Sequence, residues 1–179
     1  MGAYLAFVDE SGFLLIPTVR RTWAPRGKTP LLYHSYRRDR ISTISALTVS
    51  PVRGRLGLYV RFHRTNITGV EVVDFLRHLQ RHLHRPIVLL WDGGSIHRRR
   101  LVNEYLSSGR RRFYVYRFPA YAPELNPDEY VWTQSKRCLS NGTPHDIDEL
   151  NKDLRTALGR IGRSQKLLKA CLRMSDLSF

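Results

Sequence analysis

Asp9 closes the apolar run Tyr4–Val8, Asp92 closes the apolar run Ile87–Trp91, and Glu124, Asp128 and Glu129 crowd into the stretch APELNPDEYVWTQSK, residues 122–136. Carboxylates are what a hard divalent cation prefers: Mg²⁺ takes oxygens at roughly 2.0–2.1 Å and typically uses one or two carboxylates together with water and substrate phosphate. Adjacent strands lie about 4.8 Å apart, so Asp9 and Asp92 at the tips of neighbouring parallel strands would reach one shared cation. A third carboxylate, from the helix after the last strand, would complete a site for two ions about 3.5–4 Å apart, which clamp the attacking and leaving oxygens of a phosphodiester. Either Asp alone also reads as a turn residue capping the backbone after a strand. Together, in a chain of net charge +15, they are like charges that call for a cation.

The downstream acids separate by position. Asn126 suits an N-cap, Pro127 the first helical position and Glu129 the third, so Glu129 reads either as the return arm of a capping box or as a ligand facing the strand tips near the positive end of the helix. Glu124 belongs to the Pro-bounded loop and Asp128 points about 100° away around the helix, so neither is needed for the site. Glu10 must point to the opposite face of its strand from Asp9, as a surface residue or a support behind the ligands. His97, five residues after Asp92, suits a contact to a scissile phosphate, the orientation of water, or a capping and packing role. His78 and His82 have the i, i+4 spacing of a chelating pair but no third ligand spaced with them.

These groups need elements to position them. The strand Tyr4–Val8 is expected to turn at Gly12 into a second strand, FLLIP, forming a hairpin. RRTWAPRGKTP, residues 20–30, is broken by Pro25, Gly27 and Pro30 and reads as an exposed basic loop. ISTISALTVS (41–50) and RLGLYVRF (55–62) are β-rich runs either side of the turn PVRG. Val72, Phe75, Leu76, Leu79 and Leu83 recur at helical spacing. IVLLW suits a strand buried on both faces, followed by a turn and a helix closed by Gly109, then the strand FYVYRFP. DIDELNKDLRTALGRI and SQKLLKACLRM make the C-terminal third, from about residue 145, mostly helical. If the strand ending at Asp92 returns beside the first, a right-handed crossover makes the two parallel and their tips coincide.

Charge points to the partner. Thirty basic residues face 15 acidic ones, and 25 of the 30 are Arg, whose planar fork pairs bidentately with phosphate. A GC-rich genome also enriches Arg, but the excess charge still needs a counterpart. In the basic loop Arg20, Arg21, Arg26 and Lys28 suit phosphates, and Trp23 suits stacking on a base or wedging into a groove, or else anchoring a hairpin on the sheet. Arg98, Arg99 and Arg100, with Arg110–Arg112, flank a helix near Asp92 and would guide a polyanion toward it; Lys136, seven residues past Glu129, would also approach substrate. Cys138 and Cys171 stand alone, as ordinary reduced thiols. No apolar run approaches membrane-spanning length, and a cytoplasmic, nucleoid-associated protein of one domain is expected.

The blocks FVDESGF, LLWDGGSIHRRR and FPAYAPELNPDEYVWTQSKR, in this order and spacing, resemble the signature blocks of the DDE-type transposases of the Tc/mariner superfamily, in particular the bacterial insertion-sequence branch. RRTWAPRGKTP and RIGRSQKLLKACL extend the resemblance over nearly the whole chain. It implies an RNase H-like α/β fold, with a mixed five-stranded sheet of antiparallel meander plus parallel strands flanked by helices. It also implies cleavage of transposon ends with two Mg²⁺ or Mn²⁺ ions and joining of the freed 3′-hydroxyl to target DNA. Carried over by motif, the metal-binding catalytic acids are Asp9, Asp92 and Glu129, with 36 residues between the last two; His97 recurs in the second block. Gly93 stands where the family often has Asn, so that side chain's hydrogen bond to the site is missing. Relatives carry helix-turn-helix domains ahead of the catalytic domain, whereas Met1 lies eight residues before Asp9. The expected partners are therefore double-stranded DNA, a second copy as a homodimer on paired ends, and a separate helix-turn-helix subunit. Two other readings stand beside this one: a non-catalytic DNA-binding remnant of a transposase, and a cellular nuclease of the same fold acting on RNA–DNA hybrids or junctions.

Overall fold

Alternation along the first strand builds both halves of the core. In β1 (Tyr4–Leu14), Ala6 and Val8 face one helical layer while Phe7 and Phe13 face the other, as successive strand side chains must. The computed structural model describes residues 2–16, 18–31, 39–108 and 113–177. Within it, β1 pairs along nearly its whole length with antiparallel β2 (Arg40–Val49), from Leu5 opposite Val49 to Leu14 opposite Arg40. The hairpin expected at Gly12 is not formed. Gly12 lies within the ladder opposite Ser42 and is not among the positive-φ glycines, so the chain runs straight on and reverses only beyond Leu14.

β2 turns into antiparallel β3 (Leu56–His63) through PVRG, where Arg53 and Gly54 both adopt φ 58° and Ser50 N–H donates to Arg55 O at 2.8 Å. Helix α1 (Gly69–His82) starts at Thr68 in a capping box with Glu71 and buries Val72, Phe75, Leu76 and Leu79. It delivers the chain to β4 (Ile87–Trp91), which pairs parallel with β1 from Tyr4–Ile87 to Phe7–Leu90. After α2 (Arg100–Ser107), β5 (Phe113–Arg117) adds parallel to β4. The expected helix end at Gly109 and the run Arg110–Arg112 lie outside the described residues.

The sheet order is β3-β2-β1-β4-β5. One face is covered by α1 and α2, the other by α3 (Pro127–Leu139), α4 (Ile147–Arg163) and α5 (Gln165–Met174). The Gln165 side chain fastens α5 to β3 by accepting from Leu56 N–H at 3.0 Å and donating to Leu56 O at 2.7 Å. Because β1, β4 and β5 are parallel, their C-terminal ends open on one edge, beside the start of α3. Among the described residues, no helix is long and apolar enough to cross a membrane.

Candidate active site

The β1–β4 ladder pairs Phe7 with Leu90. Two positions further along, Asp9 lies within β1 and Asp92 in the turn just beyond β4, so the two occupy corresponding places at the tips of neighbouring parallel strands. Asp9 is not past the end of its strand, as a strand closing at Val8 would have it: it is paired with Ser45 of β2, at the level where β4 stops and β1 loses that neighbour. Asp92 sits in the turn after β4. Its Oδ1 accepts from Gly94 N–H at 2.8 Å and faces His97 Nδ1 at 2.8 Å. The His97 bond leads in holding the Asp92 carboxyl below its ordinary range, with burial opposing and the Gly94 bond assisting.

The first turn of α3 supplies the remaining acids. Asn126 is the N-cap, accepting from Asp128 N–H at 3.2 Å, and its own N–H is already given to Pro123 O at 3.0 Å. The capping box that would have occupied Glu129 is therefore not formed. Asn126 Nδ2–H also donates to Val8 O at 3.4 Å, tying this turn to β1 beside Asp9. Burial raises the Asp9 carboxyl to about 8, and the neighbouring charges of Glu129 and Glu10 push the same way. Trp132 partly offsets this, donating its indole N–H to Asp9 Oδ2 at 3.0 Å.

Asp128 has no exposed surface. Its Oδ2 accepts from the Ser45 hydroxyl at 2.6 Å, and its Oδ1 has no hydrogen-bond partner among the described residues. Burial drives its carboxyl well above the ordinary range, against the Ser45 bond and with the charges of Asp9, Glu10 and Glu129. It is an interior group whose burial favours the neutral form, while Glu129 is half-buried at the edge.

Behind the acids lies a residue whose place the sequence leaves open. His97 is 1% exposed and stacks flat on Trp91, centroids 4.2 Å apart and planes within 6°. Its Nε2 is 3.0 Å from Glu10 Oε1, on the opposite face of β1 from Asp9. Burial opposes charging the ring, but the bonds to Asp92 and Glu10 prevail and raise it to about 10, so both nitrogens donate to carboxylates at neutral pH. A ring so enclosed has almost no surface to offer DNA. Its role is internal.

The basic groups spread outward. Arg20, Arg21, Trp23, Arg26 and Lys28 are all exposed, Trp23 fully so, which rules out Trp23 as an anchor packed on the sheet. The base of their loop is fixed where Arg20 N–H donates to Asn141 Oδ1 at 2.8 Å and Asn141 N–H to Thr18 O at 3.1 Å. Arg98, Arg99 and Arg100 are exposed at the start of α2, with Arg100 paired to Glu104 at 3.2 Å. The Lys136 ammonium lies 5.9 Å from the Phe13 ring centroid, on the far reach of α3 from Glu129. His78 accepts from Arg61 at 3.0 Å; burial first, then that neighbouring charge, lowers it to about 4, and the bond occupies a nitrogen a metal would need. Among the described residues, no three His, Cys, Asp or Glu side chains converge as a ready-made metal cluster. One Asp92 oxygen is turned to His97.

The sequence profile of the DDE superfamily endonucleases matches residues 4–151. No curated protein matches the chain. Among solved structures, the Mos1 strand transfer complex is 16% identical, with a TM-score of 0.58 over 98% of this chain and 55% of that one. The catalytic domain of Mos1 mariner transposase is 12% identical, with a TM-score of 0.53 over 98% of this chain and 83% of that one. The simian T-cell lymphotropic virus intasome, in complex with PP2A regulatory subunit B56 gamma, is 15% identical, with a TM-score of 0.56 over 89% of this chain and 48% of that one. The chain thus spans about half the length of the Mos1 chain in the strand transfer complex. At these identities the likeness is one of fold, the RNase H-like arrangement of a mixed sheet between helices. The profile match runs through both aspartate-bearing strands and the first turn of α3, and the chain belongs to the DDE superfamily endonucleases.

Proposed function

We propose that this chain is the catalytic domain of a DNA transposase, which cuts DNA at transposon ends and joins the freed 3′-hydroxyl to target DNA. The observation that carries this reading is the placement of Asp9 and Asp92 at corresponding tips of adjacent parallel strands, with Glu129 close enough for its charge to raise the Asp9 carboxyl. The donor set is all oxygen and net negative, which fits Mg²⁺ or Mn²⁺, and two ions are proposed. Structures of the Mos1 catalytic domain include one with Mn and one with Mg, which supports the choice. Divalent ions bound there would polarise the phosphodiester and activate the attacking oxygen.

Asp9, Asp92 and Glu129 would hold the ions, while Trp132 and His97 hold the two aspartates in place. In the first step the oxygen of water bonds to phosphorus, the bond from phosphorus to the 3′-oxygen breaks, and that oxygen leaves as a hydroxyl after taking up a proton. In the second, the 3′-hydroxyl oxygen bonds to a target phosphorus and the target's own 3′-oxygen departs, so one phosphodiester replaces another. The exposed basic residues Arg20, Arg21, Arg26, Lys28, Arg98, Arg99, Arg100 and Lys136, with Trp23, are the proposed DNA contacts. Paired-end complexes of Mos1 support a homodimer on two ends as the working assembly.

Replacing Asp9, Asp92 or Glu129 with Ala and measuring Mg²⁺-dependent nicking of transposon-end duplexes tests the reading. Nicking should be lost in all three. Retained nicking by folded Asp9→Ala or Asp92→Ala protein would sink it, and strong salt-dependent binding without cleavage by the parent chain would leave only a DNA-binding protein.

A further inference from the structure

We propose that Glu10 and His97 are a positioning pair that dictates which oxygen of Asp92 is left to bind a cation, making Asp92 a one-oxygen ligand. This rests on the proposed metal-dependent reading of the site. It is carried by the geometry behind the acids.

Asp92 Oδ1 is committed to the protein. Gly94 N–H donates to it at 2.8 Å, and His97 Nδ1, which also meets the Asp92 backbone O at 3.2 Å, lies 2.8 Å from it, while no described residue donates to Oδ2. The side chain is otherwise 60% exposed, and without these donors it would turn freely. The donors themselves are rigid. His97 cannot rotate, because its ring lies flat on Trp91 at 4.2 Å and is almost wholly buried. Its backbone is set by successive turns, His97 N–H to Gly94 O at 3.2 Å and Arg98 N–H to Ser95 O at 3.3 Å. Its far nitrogen is anchored 3.0 Å from Glu10 Oε1.

Gly94 shows how closely this turn is fitted. A Cβ there would stand 2.9 Å from Asp92 Oδ1, so any larger residue would push that oxygen out of its present place. The consecutive acids Asp9 and Glu10 thereby divide the work by strand alternation. Asp9 faces α3 and the cation side, and Glu10 faces the helical layer behind, buttressing the neighbouring aspartate through His97. Asp9 repeats the pattern in its own way, with Oδ2 engaged by Trp132. Ligands that each give one oxygen leave the remaining positions of an octahedral ion for water and phosphate oxygens. Partners that orient metal ligands in this manner typically matter by about 10–100-fold in metal affinity.

The test is Mn²⁺ affinity of the full chain, read by electron paramagnetic resonance of free Mn²⁺ in the absence of DNA, with melting temperature as the control for folding. Glu10→Ala should weaken Mn²⁺ binding about ten-fold while the protein still melts cooperatively. Glu10→Gln should recover part of that loss, since the amide can complement either protonation state of the imidazole. Gly94→Ala should weaken binding similarly by displacing the Asp92 carboxylate, without touching Glu10 or His97. If the parent binds Mn²⁺ and Glu10→Ala and Gly94→Ala bind it equally well, the positioning role is wrong and the metal site stands. If the parent binds no Mn²⁺ at all, the metal reading falls and the positioning role with it.

Discussion

Trp132 donates its indole N–H to Asp9 Oδ2 at 3.0 Å, and it does so from one helical turn beyond Glu129. Two residues of α3, at i and i+3, thus address the same strand tip, one with charge and one with a donor. The bond favours the ionised carboxylate against burial and the charges of Glu129 and Glu10. Trp132→Phe keeps an aromatic ring in the core and removes only the donor. Hydrogen bonds to charged groups are worth about 1.5–3 kcal/mol, so cleavage should fall by ten-fold or more and its pH dependence should move to higher pH. DNA affinity should be unchanged. A pH–rate profile identical to the parent's would show that the indole only packs.

The neighbours Asp128 and Glu129 should behave oppositely. Glu129→Gln keeps the shape and removes a metal-binding charge, so cleavage should be abolished with the fold intact. Asp128 faces inward onto Ser45, without exposed surface, and Asp128→Asn should leave most of the cleavage. Since the folded protein resists ionising Asp128, the melting temperature of the Asn variant should gain on the parent's as pH rises. Loss of nicking in Asp128→Asn but not in Glu129→Gln would exchange their roles.

Much of this is legible in the chain itself. IVLLW announces a buried strand, and a continuous apolar run followed by an Asp is visible without any fold. NPDE announces a helix start, because Asn caps and Pro tolerates the first position. What escapes depends on partners distant in sequence. Gly12 reads as a turn, yet the long β2 offers it a place in the ladder opposite Ser42, and glycine within a strand is tolerated when its neighbours are paired. Asp128 reads as dispensable and is nevertheless buried, because Ser45, 83 residues away, supplies a hydroxyl to it. Nothing local joins Glu10 to His97, since their bond spans 87 residues and exists only once β1 and β4 lie together. The available signal is an Asp-Glu pair at one strand tip and a His five residues after the Asp at the other.

Stability of the metal-free protein should fall as pH rises. Asp9 ionises near 3.8 when unfolded and about 8 when folded, so the folded state holds a proton the unfolded chain has lost, and its stabilisation fades through that window. Asp128 acts in the same direction. His97, at 6.5 unfolded and about 10 folded, gives stability that is complete below the lower value and lost on approach to the higher. Asp92, held below its ordinary range, opposes them only in acid. Thermal melts in EDTA should therefore decline from about pH 5 to about pH 10, and added Mg²⁺ should protect most above pH 8, where Asp9 gives up its proton without cost to binding. A melting temperature rising over that range would contradict the proton inventory of the site.

The exposed loop makes the last case, because its residues have no evident structural task. Trp23 is fully exposed and Arg20, Arg21, Arg26 and Lys28 surround it in sequence. An apolar indole held in water is unfavourable unless a partner covers it, and in a chain of net charge +15 the proposed partner is nucleic acid. Base stacking on an aromatic is worth about 1–3 kcal/mol, so Trp23→Ala should weaken DNA binding about 5- to 150-fold by that measure with no change in melting temperature. Replacing Arg21 or Arg26 with Ala should instead lower the salt dependence, by about 0.9 in the slope of log affinity against log salt for each phosphate the variant no longer neutralises. The two kinds of substitution are then distinguishable in one titration series: the indole moves affinity at every salt concentration, whereas the guanidinium moves it most at low salt. Equal affinity and slope in all of these variants would place the DNA elsewhere on the protein, nearest the other exposed arginines at the start of α2.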